Sequence, residues 1–146
     1  MLTGSLENFR ATREHGFTVI GAKEGRRRMA EAIEPGDHIV FYVTGRQALG
    51  GMVRVTSEMY EDREPIWPGK PGEVDPYPWR FETEPEVVLA EEDFVPAVEV
   101  VGELEHAAKW PAEHWHLAFQ GQLRTVSAAD AKLLERRLRA GAGATA

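Results

Sequence analysis

A single α+β domain is the expectation, and three observations set it. Between Pro35 and Thr56 two apolar runs, joined by a polar turn, alternate at the two-residue period of a strand. Helix signals, a serine followed by apolar residues at three- and four-residue spacing, open near Ser5 and again at Ser127. The chain has 146 residues and no internal repeat. That length suits one core burying roughly two thirds of the surface exposed by the unfolded chain.

Residues 1–5 read as a very short strand, after which Ser5 can cap a helix over Leu6–Glu14 that His15-Gly16 stops. Residues 17–21 form a brief apolar crossing, and 24–33 a helix with Met29 and Ile33 on one face, ended by Pro35 and Gly36. In the central pair Ile39, Phe41 and Val43 share one pleat face, and Val40, Tyr42 and Thr44 the other. Gly50 and Gly51 then interrupt a good β run, where glycine costs entropy and packs nothing. A bulge at a barrel corner, or a close approach by backbone or ligand, would account for them.

Residues 58–78 make a long loop rich in proline, glycine and acid, but its aromatic residues argue against disorder. Beyond it, 79–83 and 87–89 read as two strands split by Glu84-Pro85-Glu86, and Glu91-Glu92-Asp93 as a solvated turn. Residues 103–110 suit a short helix closed by Pro111, and 123–126 a short strand, while 113–119 fits a helical turn or a strand equally. Ser127 opens the last helix, with Asp130 in a capping-box position and Ala131, Leu134 and Leu138 on the buried face. The domain is expected over 1–140, with a frayed tail at 141–146.

Composition narrows the function. The hydrophobic fraction is 42% and the charged fraction 28%, and no apolar run approaches the ~20 residues that span a bilayer. With no export signal and no cysteine, the expected address is cytoplasmic, without disulfides or thiolate chemistry. A net charge of −7 argues against broad adhesion to duplex phosphates, though not against a small basic mouth. His114 and His116, with His106 nearby, lack a completing ligand, so no metal or other cofactor is expected. Nothing places His15 or His38 beside Ser5 or Thr44 as a nucleophile's base, and the run from Gly45 to Gly50 lacks the lysine of a phosphate loop.

Several short motifs, taken in order, carry a resemblance. Ser5-Leu6-Glu7-Asn8-Phe9, Pro35-Gly36-Asp37 running into Phe41-Tyr42-Val43-Thr44-Gly45-Arg46-Gln47, Asp62 with Ile66-Trp67-Pro68, Tyr77-Pro78-Trp79-Arg80 and Phe119-Gln120-Gly121 resemble the EVE domain family over nearly the whole chain. That family is grouped with PUA, ASCH and YTH domains. The resemblance implies a PUA-like fold, a small mixed β-barrel with surrounding helices, and a pocket for a flipped-out, modified base of RNA or DNA. It implies no reaction. Family members usually carry an aromatic and several apolar residues before the position of Thr3-Gly4-Ser5. Two alternatives therefore stand: a start upstream of Met1, or a shortened edge strand with a more open pocket.

A base pocket needs flat rings and convergent polar groups. Trp67, Trp79, Tyr42 and Phe17 supply rings, each with core packing as its alternative. Ser5, Asn8 and Gln120 supply donors and acceptors, although Ser5 equally serves as a helix cap and Gln120 as a loop amide. Arg80 has three readings, pairing a phosphate, stacking on the base, or a surface ion pair with nearby glutamates, and it is assigned with Thr44, Gly50 and Gly51 to the same site. Lys23, Arg26, Arg27, Arg46 and Arg54 are the candidate phosphate contacts at its rim. The expected activity is non-catalytic binding of a modified nucleobase. An enzyme on a small nucleotide-like substrate and a protein-interaction module are the alternatives.

Overall fold

The central pair is an antiparallel hairpin of β3 (His38–Val43) and β4 (Ala48–Val55), and its register explains the double glycine. Phe41 lies opposite Gly51 but Tyr42 opposite Leu49, so Gly50 is the extra residue of a bulge. A methyl group on Gly50 would sit 2.7 Å from the Phe9 ring, and one on Gly51 would sit 2.8 Å from the Val87 carbonyl oxygen. Core packing therefore fixes both glycines, and neither borders the cavity described below, contrary to their assignment to a ligand site.

This computed structural model describes residues 1–68, 72, 74–104, 112–119 and 122–143, with the backbone alone at 112, 114, 116, 117 and 143. Around the hairpin stand β1 (Leu2–Gly4), β2 (Val19–Ala22) and β6 (Trp79–Val88), in the order β1-β3-β4-β6-β2. β1 runs parallel to β3 and the other neighbours antiparallel. β5 (Tyr60–Glu61) adds to β6 and β7 (Val95–Pro96) to β4. Where a break at 84–86 was expected, β6 continues: Met52 pairs with Val87 and Val53 with Pro85, so a bulge at Glu86 carries the strand through the proline.

The two ends of the curled sheet meet at residue 122. Thr3 N–H donates to the Gln122 carbonyl at 2.8 Å and Arg124 N–H to the Met1 carbonyl at 3.0 Å, seating this segment beside β1. The Gln122 side chain crosses to β2, donating from Nε2 to Gly21 O at 3.0 Å and accepting from Lys23 N–H at 2.9 Å. One amide thus links edges that the ladder leaves apart. The strand expected over 123–126 reduces to the single bridge between Leu2 and Leu123.

Helix α1 (Leu6–Glu14) starts where Ser5 Oγ accepts from Asn8 N–H at 3.1 Å. It drives Phe9 into the core, edge-on to Phe17, Phe41 and Phe94 at centroid distances of 5.4, 5.7 and 5.1 Å. Phe17 is accordingly a core ring and not a pocket wall. The helix expected over 24–33 is a 3₁₀ turn (Glu24–Arg26) and a single α turn, α2 (Arg27–Ala30). It buries Ala30 and leaves Met29 exposed, because so short an element turns only one small side chain inward. Ala112–Phe119 is 3₁₀, resolving the helix-or-strand alternative, whereas most of the helix expected at 103–110 falls outside the described residues.

The last helix, α3 (Ala128–Gly143), is capped by Ser127 Oγ, which accepts from Asp130 N–H at 3.1 Å, and Leu134 and Leu138 are completely buried. It runs beyond the expected boundary at 140, and the methyl-sized space at Gly141 ends 3.4 Å from Asp93 O and Val95. Residues 144–146 of the expected tail lie outside the described residues. No helix among the described residues is long and apolar enough to cross a membrane.

Candidate nucleobase site

A cavity of about 390 Å³, its open mouth included, lies between the start of α1, β1, the ends of β2 and β3, and the loop before β6. Leu2, Thr3, Gly4, Ser5, Asn8 and Gln122 form a half-buried rim, and the floor and walls, among them Phe41, Tyr42, Trp67 and Tyr77, are buried.

Most polar wall groups are held by a neighbour. Asn8 Nδ2 donates to the Tyr77 hydroxyl at 3.0 Å. Thr12, one helical turn further along the same face of α1, accepts from Trp67 Nε1 at 2.9 Å and donates to Asn8 O at 3.0 Å. Trp67 and Tyr77 meet edge to face at 5.7 Å, and Tyr42 stacks on Phe119 at 4.5 Å. Burial holds the Tyr42 hydroxyl above its ordinary pKa, so the phenol stays neutral over the physiological range.

Wall position depends on two features behind it. Gly21 lets Trp67 and Tyr77 close over β2, since a methyl group there would come within 2.6 Å of the indole and 2.7 Å of Tyr77 O. Arg80, only 1% exposed, gathers the loop backbone: Nε donates to Tyr77 O at 3.2 Å, and Nη2 donates to Pro76 O at 3.1 Å and to Glu64 O. Its guanidinium lies 5.2 Å from the Trp67 ring centre, with Asp62 as counter-ion at 3.4 Å. Tyr77 takes a left-handed backbone (φ 51°), costly for a bulky residue. Asp75, which accepts from Tyr77 N–H at 2.9 Å, and Arg80 at the carbonyl hold it there.

Of the residues singled out from sequence, Ser5, Asn8, Tyr42 and Trp67 share this cavity. Trp79 does not: its indole N–H donates to Glu24 O at 3.0 Å, and Arg27 covers its ring at 4.7 Å, so it clamps the loop to the Glu24 turn. Arg80 is a buried strut and meets neither solvent nor phosphate. Thr44 sits exposed on the turn after β3, its hydroxyl donating to Gly4 O at 3.3 Å. Gln120 lies outside the described residues, as do His106 and the side chains of His114 and His116. Among the described residues no cluster of three His, Cys, Asp or Glu could hold a metal.

The basic candidates are partly committed. Arg54 pairs with Glu84 at 2.5 Å and Glu86 at 3.4 Å, and Arg27 with Glu31 at 3.1 Å. Lys23 follows the closure point at Gln122, whereas Arg26 and Arg46 are exposed on their turns. None of the five lines the cavity among the described residues.

Thr12, Gly21, Tyr77 and Gln122 line the site without having been singled out for it. Thr12 was open to inference, being four residues after Asn8 on one helix face. Gln122 was not, because its amide reaches Gly21, 101 residues away in sequence.

A family model for the EVE domain matches residues 3–137. The chain belongs to the EVE domain family. A UPF0310 protein of Pyrococcus horikoshii is 25% identical over 141 residues, covering 90% of this chain and 92% of that one. In structure, this EVE domain is similar to an Mmi1 YTH domain solved in complex with RNA, with a TM-score of 0.63 at 11% identity, covering 99% of this chain and 80% of that one. It is also similar to the DUF55 domain of human thymocyte nuclear protein 1, with a TM-score of 0.52 at 14% identity, covering 92% and 94% of the two chains. These likenesses establish the PUA-like fold of the EVE domain.

Proposed function

We propose that this EVE domain binds RNA or DNA by taking one modified nucleobase into the cavity, and does no chemistry on it. The observation that carries this reading is the convergence of the Tyr42, Trp67 and Tyr77 rings with the Asn8 amide and Ser5 hydroxyl around one opening. Rings accept the faces of a base, while an amide that both donates and accepts reads its edge. The described lining has no histidine or carboxylate to serve as a general base, which supports binding over catalysis. RNA bound to a YTH domain of the same fold supports a nucleic-acid partner.

Fluorescence anisotropy with short single-stranded RNA and DNA, each carrying one modified base or its unmodified parent, tests the reading. Modified strands should bind more tightly than their parents. Because Arg10, Arg27, Arg54 and Arg63 already face carboxylates, affinity should depend weakly on salt. We expect about one to three phosphates neutralised, a log–log slope of roughly −0.7 to −2 on single strands. A slope implying about eight or more would place recognition on the backbone, and equal affinity for modified and parent strands would remove the base-reading role.

A further inference from the structure

Resting on that reading, we infer that the cavity selects uncharged bases and discriminates against bases carrying a positive charge. An aromatic pocket can serve either class. Cation–π attraction favours a charged methylated ring, whereas a charge taken out of water needs a counter-charge or strong dipoles. Here the second consideration wins, for three local reasons.

First, the described lining is neutral throughout: its polar side-chain groups are the hydroxyls of Thr3, Ser5, Thr12, Tyr42 and Tyr77, the amides of Asn8 and Gln122 and the indole N–H of Trp67. Second, among the described residues the carboxylates bonded to the groups behind the wall are occupied outside the lining. Asp75 accepts from the backbone N–H groups of Tyr77 and Glu24, Asp62 pairs with Arg80, and Glu24 pairs with Arg63. Third, Trp67 already has a cation 5.2 Å from its ring centre, the buried Arg80 guanidinium. A charged base on this ring would meet a like charge at short range in a poorly screened site. The net charge of −7 attracts cations to the protein as a whole, but that field is spread over the surface and cut off within about 8–10 Å by physiological salt. It does not replace a carboxylate in the wall.

The test uses the intact chain and two nucleoside pairs of like size, compared by calorimetry at pH 7. The pairs are N6-methyladenosine with 1-methyladenosine, and 5-methylcytidine with 3-methylcytidine, the second member of each being cationic. The neutral member should bind at least about tenfold more tightly. Moving a methyl group also alters the hydrogen-bonding edge, so the cationic members are titrated again at a pH above their own deprotonation. The Tyr42 hydroxyl, held above its ordinary value by burial, remains neutral longer than an exposed tyrosine. Affinity that rises as the base loses its charge supports the inference. A cationic member that binds as tightly as its neutral partner, or whose affinity stays low and flat across that pH change, overturns it. If none of the four binds, the base-binding reading fails and this inference falls with it.

Discussion

Replacing Arg80 by methionine is expected to be among the most destabilising single changes in the protein, at about 3–5 kcal/mol. Methionine keeps much of the volume but strips hydrogen bonds from the carbonyls of Tyr77, Pro76 and Glu64, the first buried and the other two part-buried, and takes the counter-ion from Asp62. For a domain of this size, that loss lowers the melting temperature by roughly 10 °C, at about 2–4 °C per kcal/mol. Lysine should restore little, because one compact ammonium cannot span the fork that reaches three carbonyls and Asp62. Thermal denaturation followed by circular dichroism measures both variants. A shift of no more than about 2 °C for methionine would mean that the loop holds itself without Arg80.

Trp67→Ala should follow closely, and it should fail in two ways at once. The indole is 8% exposed, covers Gly21 and donates to Thr12, so its removal opens a cavity costing about 3–5 kcal/mol. Base stacking on such a ring is worth ~1–3 kcal/mol, so affinity should also drop by about five- to 150-fold. Alanine alone cannot separate wall from ligand platform. Trp67→Phe can, since it retains a flat ring and forfeits chiefly the bond to Thr12, worth about 1 kcal/mol. The phenylalanine variant should recover most of the stability and part of the affinity. Full affinity in a folded alanine variant, measured by anisotropy, would remove Trp67 from the base platform.

These two residues also mark what local sequence could reveal. The Ser5 cap, the bounds of α1, the β3–β4 hairpin and the apolar face of α3 follow from local rules of capping, period and turn chemistry, and so were legible. Arg80 and Trp79 were not, because local sequence places both beside acids and prolines in a setting that looks exposed. Their burial comes from the loop folding back onto the Glu24 turn, fixed by Asp75, Arg63 and the Trp79 indole. Gly50 and Gly51 correctly pointed to a close approach, but only the three-dimensional register shows that a phenylalanine ring and a strand backbone do the approaching. Site membership was half visible for the same reason. Ser5 and Asn8 lie within one helix entry, whereas Tyr77 reaches Asn8 across 69 residues and through a left-handed backbone that no residue preference announces.

The central claim, that the cavity is the point of contact with nucleic acid, is tested most directly by an NMR titration of isotope-labelled protein with a short single strand bearing one methylated base. Perturbations should concentrate at the cavity: the Trp67 indole N–H, the Asn8 and Gln122 side-chain amides, and the backbone amides of Gly4 and Gly21. Perturbations confined to the separate groove formed by Met29, Ile33, Ile39 and Val126, with the cavity resonances unmoved, would contradict it.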